Sequence, residues 1–107
     1  MIIDDFVKVL DAQIKRVQNV LIVKTAEYAN ADQLHNFRVA AELQDKTVKE
    51  TIAGMMAKHT VSIYDMVRSK RSFDPEIWDE KITDHIIYLI LLRAAVIEEA
   101  GIKSKEN

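Results

Sequence analysis

Apolar residues in this chain recur with a helical period, in four blocks separated by short polar breaks. In the first block Ile3, Phe6, Val7, Leu10, Ile14, Val17 and Leu21 share one face, with Asp11, Lys15, Gln18 and Asn19 behind them. The spacing predicts a helix from about Asp4 to about Tyr28. Asn30, Ala31 and Asp32 then break the pattern, and Asp32 is placed to cap a short second helix running to about Leu43. Its inward residues would be Leu34, Phe37, Ala40 and Ala41. Thr47 followed by Glu50 has the spacing of a capping box and predicts the start of a third helix reaching about Lys70. The apolar stripe of that helix is Val48, Ile52, Met55, Met56, Ile63, Met66 and Val67, with His59 in its middle. Gly54 costs a helix about 1 kcal/mol, which points to close packing of a neighbouring helix at that position.

The last block is apolar on every side. Asp74 suits a helix cap, Pro75 its first position and Gly101 the residue just past its end. Phe73 and Trp78 have the spacing of a hydrophobic staple. Between Ile86 and Ile97 only Tyr88 and Arg93 interrupt the apolar run, so this helix is expected to be central and covered over most of its circumference. Lys103 to Asn107 reads as a frayed tail.

Composition narrows the architecture. Two glycines and one proline in 107 residues argue for a few long helices, and the length argues for a single domain over residues 1–107. The expected fold is an all-α four-helix bundle. A short chain with one helix apolar all round readily leaves a face for a second copy, so a homodimer is expected. The absence of cysteine excludes a disulfide framework and a thiolate zinc site, and the amino terminus lacks a basic segment followed by a long apolar run. A cytoplasmic protein with no membrane partner is the expectation. The net charge of -2 gives no global attraction for nucleic acid, and Arg68, Lys70 and Arg71 form only a local basic knot.

Any chemistry in such a bundle comes from side chains on facing helices. Glu80 and Asp84, one turn apart with Tyr88 a further turn on, could hold Mg²⁺, which accepts one or two carboxylates and completes its shell with water or phosphate. They could equally be a solvated acidic pair, with Lys81 neutralising one of them. Lys58, Ser62 and Asp65 run along one edge of the third helix; facing the last helix, they would bring a cation for phosphate and a further carboxylate for the metal. At a solvated rim they are ordinary surface charge. His59 is either a neutral core imidazole with one partner or a base that positions water. Asn36 could contact a nucleobase beside Phe37, and Glu42 and Asp45 could add metal ligands. His35 and His85 match no zinc spacing, and there is no glycine-rich phosphate loop.

Glu27-Tyr28, Asn36-Phe37, Lys58-His59 with Ser62 and Asp65, and Glu80-Lys81-Ile82-Thr83-Asp84 with Tyr88 together resemble a family of small phage and prophage helical proteins described as nucleotide-modification-associated. That family is similar in outline to the MazG-like and dimeric dUTPase-type all-α nucleoside triphosphate pyrophosphatases. The resemblance implies a nucleotide-handling protein, with a Mg²⁺-dependent pyrophosphohydrolase as the reaction class. It matches Glu80 and Asp84 to the acidic pair of the last helix and Lys58 to a basic position on the helix before. Asp65 would join the metal, and Asn36, Tyr88 and His59 would contact substrate or water. The pyrophosphatases carry Glu-Glu-x-x-Glu and Glu-x-x-Asp; here the first becomes Glu42-x-x-Asp45, and Lys81 stands three before Asp84. A non-catalytic helical interaction module is the alternative.

Overall fold

The computed structural model of the chain describes residues 1–27 and 32–106, with side chains described at 1–22 and 32–101. Tyr28, Asn30, Ala31 and Asn107 lie outside the described residues. The all-α expectation is met: the described residues form α1 (Ile3–Glu27), α2 (His35–Gln44), α3 (Val48–Arg68) and α4 (Pro75–Glu106), with no strand among them. The chain divides into two compact units, Met1–Ala31 and Asp32–Asn107. No helix among the described residues is long and apolar enough to cross a membrane.

In the first unit, α1 begins with Asp4 and Asp5, whose charges favour the positive end of the helix dipole. The apolar residues that share one face are mostly exposed. Val17 is buried, but Ile3, Phe6, Val7, Leu10 and Ile14 are 43 to 80% exposed. An apolar stripe dictates a helix; it does not supply a cover.

The second unit is built on an antiparallel pair. Lys49 near the start of α3 meets Glu99 late in α4 at 3.1 Å, while Thr60 in mid-α3 meets His85 at 2.7 Å, so the two helices run in opposite directions. Thr47 and Glu50 make the expected reciprocal capping box: the Thr47 hydroxyl accepts from the Glu50 N–H and the Glu50 carboxylate from the Thr47 N–H, both at 3.1 Å. The Asp74 carboxylate accepts the Glu76 N–H at 3.0 Å and so caps α4. Phe73 packs edge-on to Trp78 with centroids 6.1 Å apart, which fixes how the connection enters α4. Arg71 extends this contact, its guanidinium lying 5.8 Å from the Phe73 ring centroid.

Phe37, with Leu34 just ahead of α2, inserts against Ile52 of α3 and Ala95 of α4, and Val48, Met55, Tyr88, Leu91 and Leu92 surround this centre. Ile52 is fully buried, and Thr83, Ile87 and Ala95 form the buried line of α4.

Several expectations need correction. Asp32 does not cap α2 directly: its carboxylate takes the Leu34 N–H at 3.0 Å, and the helix starts after that turn, at His35. Asp45 ends α2 in the left-handed conformation, φ 53°, where Asp is among the few side chains tolerated. Gly54 is exposed, and a Cβ placed there would meet nothing within 4 Å, so the expected close packing at this position is not found among the described residues. Val67 is 65% exposed rather than part of the core stripe. Gly101 does not end α4, which continues helically to Glu106. Finally, Ile82, Leu89, Ile90, Val96 and Ile97 are 38 to 56% exposed, so the described residues of the second unit do not enclose α4 on all sides. An all-round apolar helix gives no sign of which side its partners take.

Candidate functional site

Tyr88 stands where three helices meet. Its ring lies edge-on to Phe37 of α2, with centroids 6.3 Å apart, and in a tilted pair with His59 of α3 at 4.7 Å. Both His59 and Tyr88 are half-buried. Burial disfavours the charged imidazole and holds the His59 pKa below its usual 6.5. The negative charge of Asp84 opposes that shift, while Lys58, Lys81 and His85 reinforce it. Four charged or titratable groups from α3 and α4 therefore act on His59. Sequence spacing singled out His59, Asp84, Lys58 and Tyr88, and the antiparallel pairing of α3 and α4 brings them together.

The other expected site residues are less well placed. Glu80 is exposed, one turn from the half-buried Asp84. Asp65 is exposed and sits about 120° around α3 from His59 at 100° per residue. It borders a shallow hollow with Thr60, Val61, Tyr64 and Arg68 instead. The expected metal trio of Glu80, Asp84 and Asp65 is not assembled: among the described residues no group of three His, Asp or Glu side chains is placed to hold a metal ion. Asn36 is exposed on α2, and Ser62 is half-buried on the α3 edge between exposed Lys58 and Asp65. That edge is a rim. Glu42 and Asp45 line a separate open hollow with Arg38, Lys46 and Thr47, which takes them out of any acidic cluster on α4.

Two features escaped the sequence reading. The Thr60 hydroxyl and His85 Nε2 hydrogen-bond at 2.7 Å across the helix pair, next to His59. The residues are 25 apart in sequence, and neither spacing nor motif links them. The second is Arg38, which donates from Nε to Asp32 at 2.8 Å and from Nη2 to Glu98 at 2.7 Å, with Nη1 also 2.6 Å from Glu98. Its guanidinium thus ties the turn before α2 to α4. The two carboxylates raise the Arg38 pKa further above its already high value, and Arg38 lowers those of Asp32 and Glu98. Beside it a hollow of about 330 Å³ is lined by Leu34, Thr47, Val48, Lys49, Ala95 and Glu99. Both cations at its edge are already paired with carboxylates, so it has no spare positive charge for an anion.

No known protein family, curated protein or solved structure matches the chain.

Proposed function

We propose that this chain is a phage-type nucleotide-binding protein whose site is the α3–α4 rim at His59, Asp84 and Tyr88. The observation that carries the reading is the tilted His59–Tyr88 pair, 4.7 Å between centroids, within electrostatic reach of Lys58, Lys81 and Asp84. A half-exposed aromatic pair offers a nucleobase a stacking surface. Lys58 and Lys81 supply point charges for phosphate oxygens, and a neutral His59 with Asp84 offers hydrogen-bonding partners for the sugar or base edge. The resemblance to nucleotide-modification-associated proteins supports the same ligand class. Among the described residues no three carboxylate or imidazole side chains converge on one point, so no hydrolytic step is assigned through a resident Mg²⁺.

The test is thermal stabilisation across ribo- and deoxyribonucleoside triphosphates, with and without Mg²⁺. A ligand at about a hundred times its Kd adds roughly 2.7 kcal/mol of stability. The expected outcome is stabilisation by at least one nucleotide, lost in the Lys58→Ala/Lys81→Ala protein and weakened in Asp84→Asn. A flat response across the panel sinks the proposal. Pyrophosphate release measured on the same panel tests the reaction class implied by the resemblance.

A second reading, a non-catalytic interaction module, is favoured by one specific feature. Ile82, Leu89 and Val96 repeat every seven residues along α4 and are 38 to 46% exposed, an apolar row fit for a helix of another protein. Nucleotide-independent retention of a partner, abolished by Leu89→Glu, would favour it over the first.

A further inference from the structure

The outward face of α3 carries a surface that neither nucleotide binding nor the core uses. Glu50, Ala53, Ala57, Val61, Tyr64 and Arg68 follow one another at spacings of three and four, a single line along the helix. The middle of this line borders a hollow of about 520 Å³ with a floor of small side chains at Ala53 and Ala57. Val61 and Tyr64, its large members, are 57% and 59% exposed. An acid lies at one end and a base at the other.

We propose that this face pairs with the same face of a second copy, α3 against α3 in antiparallel, two-fold arrangement. In an isologous interface residue i meets j and j meets i, so a line must complement its own reverse. This one does. Setting Ala57 opposite the partner's Val61 sets Gly54, next to Ala53, opposite the partner's Tyr64, so each large side chain enters the shallow stretch left by a small one. The same register sets Glu50 against the partner's Arg68 at both ends. A parallel pairing would put Glu50 on Glu50 and Arg68 on Arg68, a repulsive arrangement at both termini. Glu50 uses one carboxylate oxygen in the capping box at Thr47, which leaves the other free to accept from a guanidinium. Arg68 is exposed at the other end of the line, beside Tyr64. The inference is independent of the nucleotide reading, because His59 lies on the opposite side of α3, the one that meets Tyr88 of α4.

The test is the oligomeric state of the full chain by sedimentation at micromolar concentration, with helicity followed by circular dichroism. The wild-type protein is expected at twice the 12.3 kDa chain mass. Val61→Glu should give a helical monomer. Arg68→Glu alone and Glu50→Lys alone should each weaken the dimer on the order of tenfold, and the Glu50→Lys/Arg68→Glu double reversal should restore it. Rescue separates pairing from a structural role, because loss of the Thr47 capping box is not repaired by a change at Arg68. A monomeric wild-type protein overturns the proposal. So does a dimer that persists in Val61→Glu, or a double reversal no tighter than either single one.

Discussion

His59 has its charge state set by where three helices converge. Desolvation is the main cause that lowers its pKa; the charge of Asp84 opposes it, and Lys58, Lys81 and His85 add smaller lowering effects. In the unfolded chain the group titrates near 6.5, so below that pH the unfolded state binds the proton first. Stability therefore falls as pH drops from about 6.5 through the lower folded value and then levels. Denaturant melts between these limits should show the slope, and His59→Gln should flatten it; an unchanged slope in the variant would locate the effect elsewhere. Gly54 is a simpler case. Its backbone is helical and a methyl group there meets open space, so Gly54→Ala should raise unfolding free energy by about 1 kcal/mol through the lost freedom of the unfolded chain. A loss of stability would mean the space is not open.

At the scale of elements, helix boundaries follow local chemistry. The Thr47–Glu50 box needs nothing beyond four consecutive residues, and the structure contains both of its hydrogen bonds. Thr47→Ala should cost about 1 kcal/mol in chemical denaturation, with the loss confined to stability and no change in helix number. Asp74, Pro75, Phe73 and Trp78 specify the entry of α4 with the same economy. The start of α2 was harder to read, because Asp32 can serve an N–H either within a turn or at a helix start, and the residues are alike in both cases. The end of α4 was misread for a related reason. Glycine permits a left-handed stop without enforcing one, and Gly101 has no positive φ.

At the scale of the whole molecule, ion pairs join elements of the second unit that are distant in sequence. Arg38 links Asp32 ahead of α2 to Glu98 on α4, and Lys49 links α3 to Glu99. Because Arg38 lowers the pKa values of Asp32 and Glu98, the ionised carboxylates favour the folded state. Their contribution is full above the unfolded values of 3.8 and 4.5 and is lost as pH falls through the lower folded ones. Arg38→Leu should therefore lower Tm at neutral pH, modestly because these groups are well exposed, and should shrink the acid limb of the stability curve. Added salt should narrow the gap between the two proteins. A variant with the wild-type acid limb would show that the pairing is energetically idle.

What the sequence determined by itself is whatever depends on neighbours within about a turn: four helices, the caps at Thr47 and Asp74, the staple at Phe73 and Trp78, and the candidates His59, Lys58, Asp84 and Tyr88. Period and capping are local, and a local signal survives without knowledge of the fold. Tertiary structure alone decided which faces are covered. It left Glu80 exposed, joined Thr60 to His85, and exposed much of α1 and one side of α4. Burial and long-range pairing depend on how helices approach one another. An amphipathic stripe states that a partner is needed, and only the packed chain says which partner is already present.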